Sequence, residues 1–122
     1  MNKPDVGPIP AEAPSDLLVE DIVEGTGQEA KSGAYVSVHY VGVAHSTGKE
    51  FDASYNRGEA LGFRVGGQQV IAGWDQGVAG MKVGGRRKLT IPPHLGYGAS
   101  GAGGVIKPNE TLIFVVDLVE VH

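Results

Sequence analysis

Apolar residues in this chain mostly alternate with polar ones, and one stretch does not. From Gln69 to Gly80, Val70, Ile71, Trp74 and Val78 fall at the spacing of a single helical face. Trp74 is the only tryptophan of the chain. One short helix with an aromatic stripe, set among strands, must lay that stripe against a sheet to bury it. The space between the Trp-bearing helix and the sheet is therefore the expected site.

The strands follow from period-two alternation and turn residues. Leu17 to Glu24 reads as a first strand, closed by Gly25-Thr26-Gly27. Ala34 to Ala44 sets Val36, Val38 and Tyr40 against Ser37 and His39, so one buried face is expected. Glu50 to Ser54 is a short strand holding Phe51 and Asp52, and Tyr55 to Glu59 reads as loop. Ala60 to Val65 alternates through Leu61, Phe63 and Val65. Arg86 to Ile91 places Leu89 and Ile91 on one face and sends Arg86 and Lys88 outward to solvent. Pro92-Pro93 ends it. Residues 94–110 form a long Gly-rich loop, a kind that usually carries function. Thr111 to Val121 turns Leu112, Phe114, Val116 and Leu118 one way, and Ile113, Val115 and Asp117 the other. The fold class is α+β: about five antiparallel strands, one short helix and one elaborate loop.

Residues 1–16 carry Pro4, Pro8, Pro10 and Pro14, which forbid regular helix and central strand. A mobile, extended Pro-rich arm is expected there, with the folded domain spanning 17–122. Ile9-Pro10, an apolar residue before a proline, raises a sharper idea, that the arm visits the chain's own site or that of a neighbouring molecule.

Composition excludes several classes. The 122 residues fit one domain. A net charge of −4 argues against nucleic acid as a partner. No cysteine is present, so there is no disulfide framework and no thiolate chemistry. No apolar run reaches membrane-spanning length, and the N-terminus has no apolar leader core. A cytoplasmic, membrane-free monomer is expected. Ser32, Ser46, Ser54 and Ser100 lack a nucleophile-elbow context. His39, His45, His94 and His122 lack metal-ligand spacing, so no metal and no cofactor is expected. Gly101-Ala102-Gly103-Gly104 lacks the Gly-Lys-Ser/Thr ending of a phosphate loop.

What remains is a set of aromatic and apolar residues without a nucleophile: Tyr40, Phe51, Val70, Ile71, Trp74, Tyr97 and Phe114. Asp52 follows Phe51 directly, as a carboxylate at a pocket rim would. Tyr97 stands between glycines in Leu-Gly-Tyr-Gly-Ala, where the backbone can place a phenol that needs a partner.

Five motifs in order now carry a family resemblance: Val-His-Tyr-Val-Gly at 38–42, Gly-Lys-Glu-Phe-Asp-Ala-Ser at 48–54, Val-Ile-Ala-Gly-Trp-Asp-Gln-Gly-Val at 70–78, Met-Lys-Val-Gly-Gly-Arg-Arg-Lys-Leu-Thr-Ile-Pro-Pro at 81–93 and Leu-Gly-Tyr-Gly-Ala at 95–99. Over residues 17–122 the chain closely resembles the FKBP-type peptidyl-prolyl cis–trans isomerases, in their minimal single-domain bacterial form. The resemblance implies a curved, five-stranded antiparallel half-barrel around the short helix. It implies a pocket floored by Trp74 and walled by Tyr40, Phe51, Val70, Ile71 and Phe114, with Leu61 and Ile106 completing it. Asp52 and Tyr97 would stand at the rim and Arg57 would pair with Asp52. The Ile71 backbone and the Tyr97 hydroxyl would bond ligands. Asp52, Tyr97 and Phe51 are the residues implied to act on the substrate. Proline-containing peptides, unfolded protein clients and macrolides such as rapamycin are the implied partners. The sequence departs from the family at Leu61, where a bulky aromatic is common. Ala102 replaces a histidine frequent in eukaryotic members, and Lys107 stands before Pro108 where a second proline is common.

Two other functions stand beside the isomerase. One is a proline-segment binding module or holdase with little turnover. The other is an interaction protein using an apolar outer face at Ile113, Val115, Val119 and Val121.

Overall fold

A computed structural model describes residues 3–103 and 105–122. Six antiparallel strands form one sheet: β1 (Leu18–Val23), β2 (Tyr35–Ala44), β3 (Glu50–Ala53), β4 (Leu61–Arg64), β5 (Arg86–Ile91) and β6 (Leu112–Val121). The order is β1-β5-β6-β2-β3, with β4 also paired to β2. The expected five strands become six because one edge is divided. β2 pairs its first half with β4, from Tyr35 to Val38, and its second half with β3, from Val41 to Val43. The sheet is thus five positions wide, and its split edge opens where Phe51 and Asp52 lie.

Two α-helices among the described residues interrupt the strands: α1 (Ser54–Arg57) and α2 (Ala72–Val78). α1 is a single turn where a loop was expected, closed by Gly58 at φ 67°. α2 is shorter than the apolar period at 69–80 suggests. The Asp75 carboxylate accepts from the backbone N–H of Gly66 and of Gln68, at 2.9 and 3.0 Å. That binds the preceding turn to the first helical turn and holds residues 66–71 out of the helix. Its other end stops where Ala79 leaves helical backbone angles, at ψ 131°, and Arg87 Nη1 donates to the Gly77 and Ala79 carbonyls left open there, at 2.9 and 3.1 Å. A guanidinium on the last carbonyls also suits the helix dipole.

α2 sits close to the sheet. Gly73 and Gly77 share its buried face, and a Cβ on either would come within 2.6 Å of Ile91 or Leu89. Trp74 and Val78 enter the main core with Val36, Val38, Phe63, Leu89, Ile91, Leu112, Val116 and Leu118. The alternation read from β6 therefore holds, Ile113 and Val115 lying in a second cluster on the opposite face.

That outer face differs from expectation. β2 is buried on both faces from Tyr40 to Ala44. Arg86 and Lys88 do point outward, but not into open solvent. Arg86 makes a two-pronged ion pair with the fully buried Asp117, at 2.7 and 3.1 Å, and Tyr55 also donates to that carboxylate. Lys88 is buried and donates to the Pro8 carbonyl at 2.7 Å. The N-terminal arm is extended, as its prolines require, yet it lies docked on this face, and Val6 is buried in the second cluster. No helix among the described residues is long and apolar enough to cross a membrane.

Candidate functional site

The sheet's inner face and the entry to α2 enclose a cavity of about 220 Å³. Its lining is Tyr40, Phe51, Asp52, Leu61, Gln69, Val70, Ile71, Trp74, Tyr97 and Phe114. Its volume lies below the ordinary range for drug-sized ligands and suits a single inserted ring or side chain. Four aromatic rings meet in edge-to-face contacts. Trp74 lies 4.8 Å from Tyr40 and 5.2 Å from Phe114, and Phe51 lies 5.5 Å from Phe114, with interplanar angles of 78° to 88°. Such pairs add to plain area burial and fix each ring against its neighbour. Phe63 touches Trp74 from the core side at 5.8 Å. Gly42 makes the crowding possible, because a Cβ there would come 2.6 Å from Phe114 and 2.7 Å from Phe51. The indole N–H of Trp74 is buried with no hydrogen-bond partner among the described residues.

The polar rim is a closed triangle. The Tyr40 phenol donates to Asp52 Oδ2 at 2.5 Å, Arg57 Nη1 donates to Asp52 Oδ1 at 2.5 Å, and Arg57 Nη2 donates to the Tyr40 hydroxyl at 2.8 Å. Burial pushes the Asp52 carboxyl up, but the bonds from Tyr40 and Arg57 outweigh it and hold the group below the usual carboxylate range. Burial, together with the Asp52 charge, raises the Tyr40 phenol above its ordinary value. The bond to Asp52 keeps Arg57 firmly protonated. Near neutral pH the rim is thus one carboxylate, one neutral phenol and one cation.

Tyr40 is held from behind as well. Its backbone N–H donates to Ser54 Oγ at 2.7 Å, and Ser54 shares a 2.8 Å hydrogen bond with His39 Nδ1. His39 stacks on Tyr55 at 4.6 Å on the opposite face of β2.

Tyr97 lines the cavity and is 41% exposed. Its hydroxyl has no hydrogen-bond partner among the described residues, so it is free to meet a ligand. Ile71 stands just before α2, where its carbonyl accepts from Trp74 at 3.0 Å and Asp75 at 3.3 Å. The structure gathers nearly all the site residues expected from sequence. Arg57 reaches the site only through Asp52 and Tyr40, and is not part of the lining. Ile106 is buried in the main core, bridged to Ala102 by backbone bonds of 2.9 and 3.0 Å, and does not line the cavity. Gly104 of the same loop lies outside the described residues. Sequence reasoning missed Gln69 and the hydroxyl of Tyr40. Alternation marks the face a tyrosine occupies and says nothing of what its phenol bonds.

Among the lining residues there is no serine, threonine, cysteine or histidine, and among the described residues no cluster could hold a metal ion. An aromatic box with a polar rim lies between a half-barrel sheet and a short helix. The chain belongs to the family described as FKBP-type peptidyl-prolyl cis-trans isomerase, which matches residues 26–119. It is 63% identical to an FK506-binding protein of Streptomyces anulatus, over 99% of this chain and 98% of that one. It is 49% identical to a probable FK506-binding protein of Corynebacterium glutamicum, over 98% of both. Among solved structures it is similar to the crystal structure of AtFKBP13, with a TM-score of 0.81 and 43% identity over 90% of this chain and 96% of that one. FkpA from Escherichia coli is also similar, with a TM-score of 0.77 and 46% identity over 86% of this chain and 47% of that one.

Proposed function

We propose that the chain is a peptidyl-prolyl cis–trans isomerase that turns X-Pro bonds of protein clients without covalent or proton-transfer steps. The observation that carries this reading is the pairing of the aromatic box with the Tyr40–Asp52–Arg57 triangle. Rotation about an X-Pro amide faces a barrier of about 20 kcal/mol, most of it from C–N resonance. The planar amide is charge-separated and the twisted one is less so. A prolyl ring on Trp74, walled by Phe51 and Phe114, brings its carbonyl out of water. That disfavours the planar state relative to the twisted one, which is differential binding of the transition state. Each ~1.4 kcal/mol of that bias gives about ten-fold in rate. Tyr97 donates its free hydroxyl to a substrate carbonyl, and the Ile71 backbone N–H offers a second donor at the mouth. Asp52, fixed by Tyr40 and Arg57, supplies a constant field at the rim. Macrolides that present a proline-like ring would compete for the same box.

The binding-module reading predicts occupancy without turnover. Exchange NMR on a leucyl-proline tetrapeptide at substoichiometric protein separates the two. Cis–trans exchange cross-peaks that are absent without protein support the enzyme. Shifted peptide resonances with no added exchange would establish a binding module instead. Phe51, Asp52 and Tyr97 are the groups in contact with substrate, and Asp52→Ala should lower kcat/KM while leaving the thermal transition cooperative.

A further inference from the structure

The N-terminal arm has a built seat. It runs over the outer face of the sheet, across β2, β3 and β6 from the pocket. Val6 is 9% exposed and packs with Val41, Val43, Ala53, Ile113 and Val115. Gly7, at φ 75°, donates its N–H to the Asp5 carboxylate at 3.0 Å and turns the chain just after that anchor. Beyond the turn, two side chains hold the arm by its carbonyls: Lys88 Nζ on Pro8 and His45 Nε2 on Pro10, each at 2.7 Å. Ile9 and Pro10 line a shallow surface hollow with Leu18, Glu20, Lys88 and Thr90, and neither lines the Trp74 cavity. The seat thus gives Ile9-Pro10 a place other than the prolyl groove. It also covers Ile113 and Val115, which the sequence offered as a surface for other molecules.

The other end of the arm reaches the elements that carry the rim. Lys3 Nζ lies 2.9 Å from Glu50 and donates to Asn56 at 2.9 Å, while Asn56 Nδ2 donates to Glu50 at 2.9 Å. Glu50 opens β3 and Asn56 lies in α1, so these contacts bracket Phe51 and Asp52 and adjoin Arg57. Val6 belongs to the same buried cluster as Ala53, the residue after Asp52.

We propose that residues 3–10 are an intramolecular strap that positions Asp52 and Arg57 from the far side of the sheet, with Val6 as the anchor and Lys3 as the tip. The kinetic part of this inference rests on the isomerase reading above. Val6 supplies the seat, because an ion pair as exposed as Lys3–Glu50 contributes little by itself. Lys3 sets the charge. Its bond is the main reason Glu50 stays below the ordinary carboxylate range, and it offsets a second negative charge close to Asp52. Lys3 and Val6 are positioning residues; neither reaches the cavity.

The test uses the full-length chain and the variants Val6→Asp, Lys3→Met and Lys3→Arg. Backbone amide shifts of residues 50–57 and the Asp52 carboxyl carbon shift are read without ligand. The kinetic constants for a leucyl-proline tetrapeptide are read well below the melting temperature. Val6→Asp should move the shifts of Asp52, Ala53 and Arg57 and lower kcat about five-fold with KM little changed. Lys3→Met should act in the same direction by about two-fold, and Lys3→Arg should restore the wild-type values. A strap that only adds stability would lower the melting temperature and leave the shifts and kcat unchanged, and that result overturns the proposal. If Val6→Asp does not fold, unchanged shifts in Lys3→Met overturn it equally. If the wild-type chain shows no turnover, the isomerase reading fails, and the ligand-free shifts alone decide the strap.

Discussion

The Tyr40 phenol has two duties that a phenylalanine could not share. It donates to Asp52 and accepts from Arg57, and its ring closes one wall of the box. Tyr40→Phe keeps the wall and opens the triangle. Asp52 then loses one of the bonds that hold its carboxyl low, so its titration should move up toward the ordinary value, which carbon NMR of the carboxyl reads directly. A hydrogen bond to a charged group is worth about 1.5–3 kcal/mol, so kcat/KM should fall about ten-fold or more. An unmoved Asp52 titration would show that Arg57 alone sets its state. Asp52 was legible in the sequence as a carboxylate beside an aromatic residue in a strand. Its partnership with Tyr40 was not, because it depends on pairing: Gly42 stands opposite Asp52, and a register shift follows between Gly42 and Val43. Spacing along one strand does not reveal that offset.

The short helix closes one side of the box, and the docked arm covers the opposite face of the sheet. Gly77→Ala would drive a Cβ into Leu89 and lift α2 from β5. Overpacking of this kind costs about 1–3 kcal/mol, so the denaturant midpoint should fall while the slope of the transition stays constant. Trp74→Ala removes both floor and core, with an expected loss of about 3–5 kcal/mol and of ligand binding. Binding in that variant follows peptide resonances, since the only indole is gone. The existence of the helix and its Trp was readable from the apolar period. Its start was not, because Asp75 reaches back to the Gly66 and Gln68 amides through a turn that periodicity does not encode. α1 was hidden for a related reason, since a single turn shows no period. Arg86 and Lys88 read correctly as outward-facing, but their partners are remote in sequence. Asp117 stands opposite Arg86 only once β6 pairs with β5, and the Pro8 carbonyl meets Lys88 only once the arm docks on the outer face.

For the whole molecule, the pH behaviour follows from the direction of the shifts. Asp52 and Glu50 both titrate below their ordinary values in the folded state. Their contribution is therefore fully present above the unfolded carboxylate range of about 4, and is lost as pH falls through the lower folded values. Thermal melts should show stability declining with acid below about pH 4, and less steeply in Lys3→Met, where Glu50 has lost its main partner. If Lys3→Met lost stability on acidification as steeply as wild type, the Lys3–Glu50 pair would have no part in that decline. Near neutral pH the pocket behaves differently, because Asp52 lies low and Tyr40 lies high, leaving neither to titrate there. His39 lies across β2 and touches the pocket only through Ser54. Catalysis by enclosure and a fixed field should then be indifferent to pH over that range. The most direct test is kcat/KM of the wild-type chain for cis–trans exchange of a proline tetrapeptide, measured from about pH 6 to about pH 9. The expected result is a clear acceleration over the uncatalysed exchange that varies by less than about two-fold across the range. A bell-shaped profile would reveal an essential acid or base, and no acceleration would leave a binding module; either result contradicts the account.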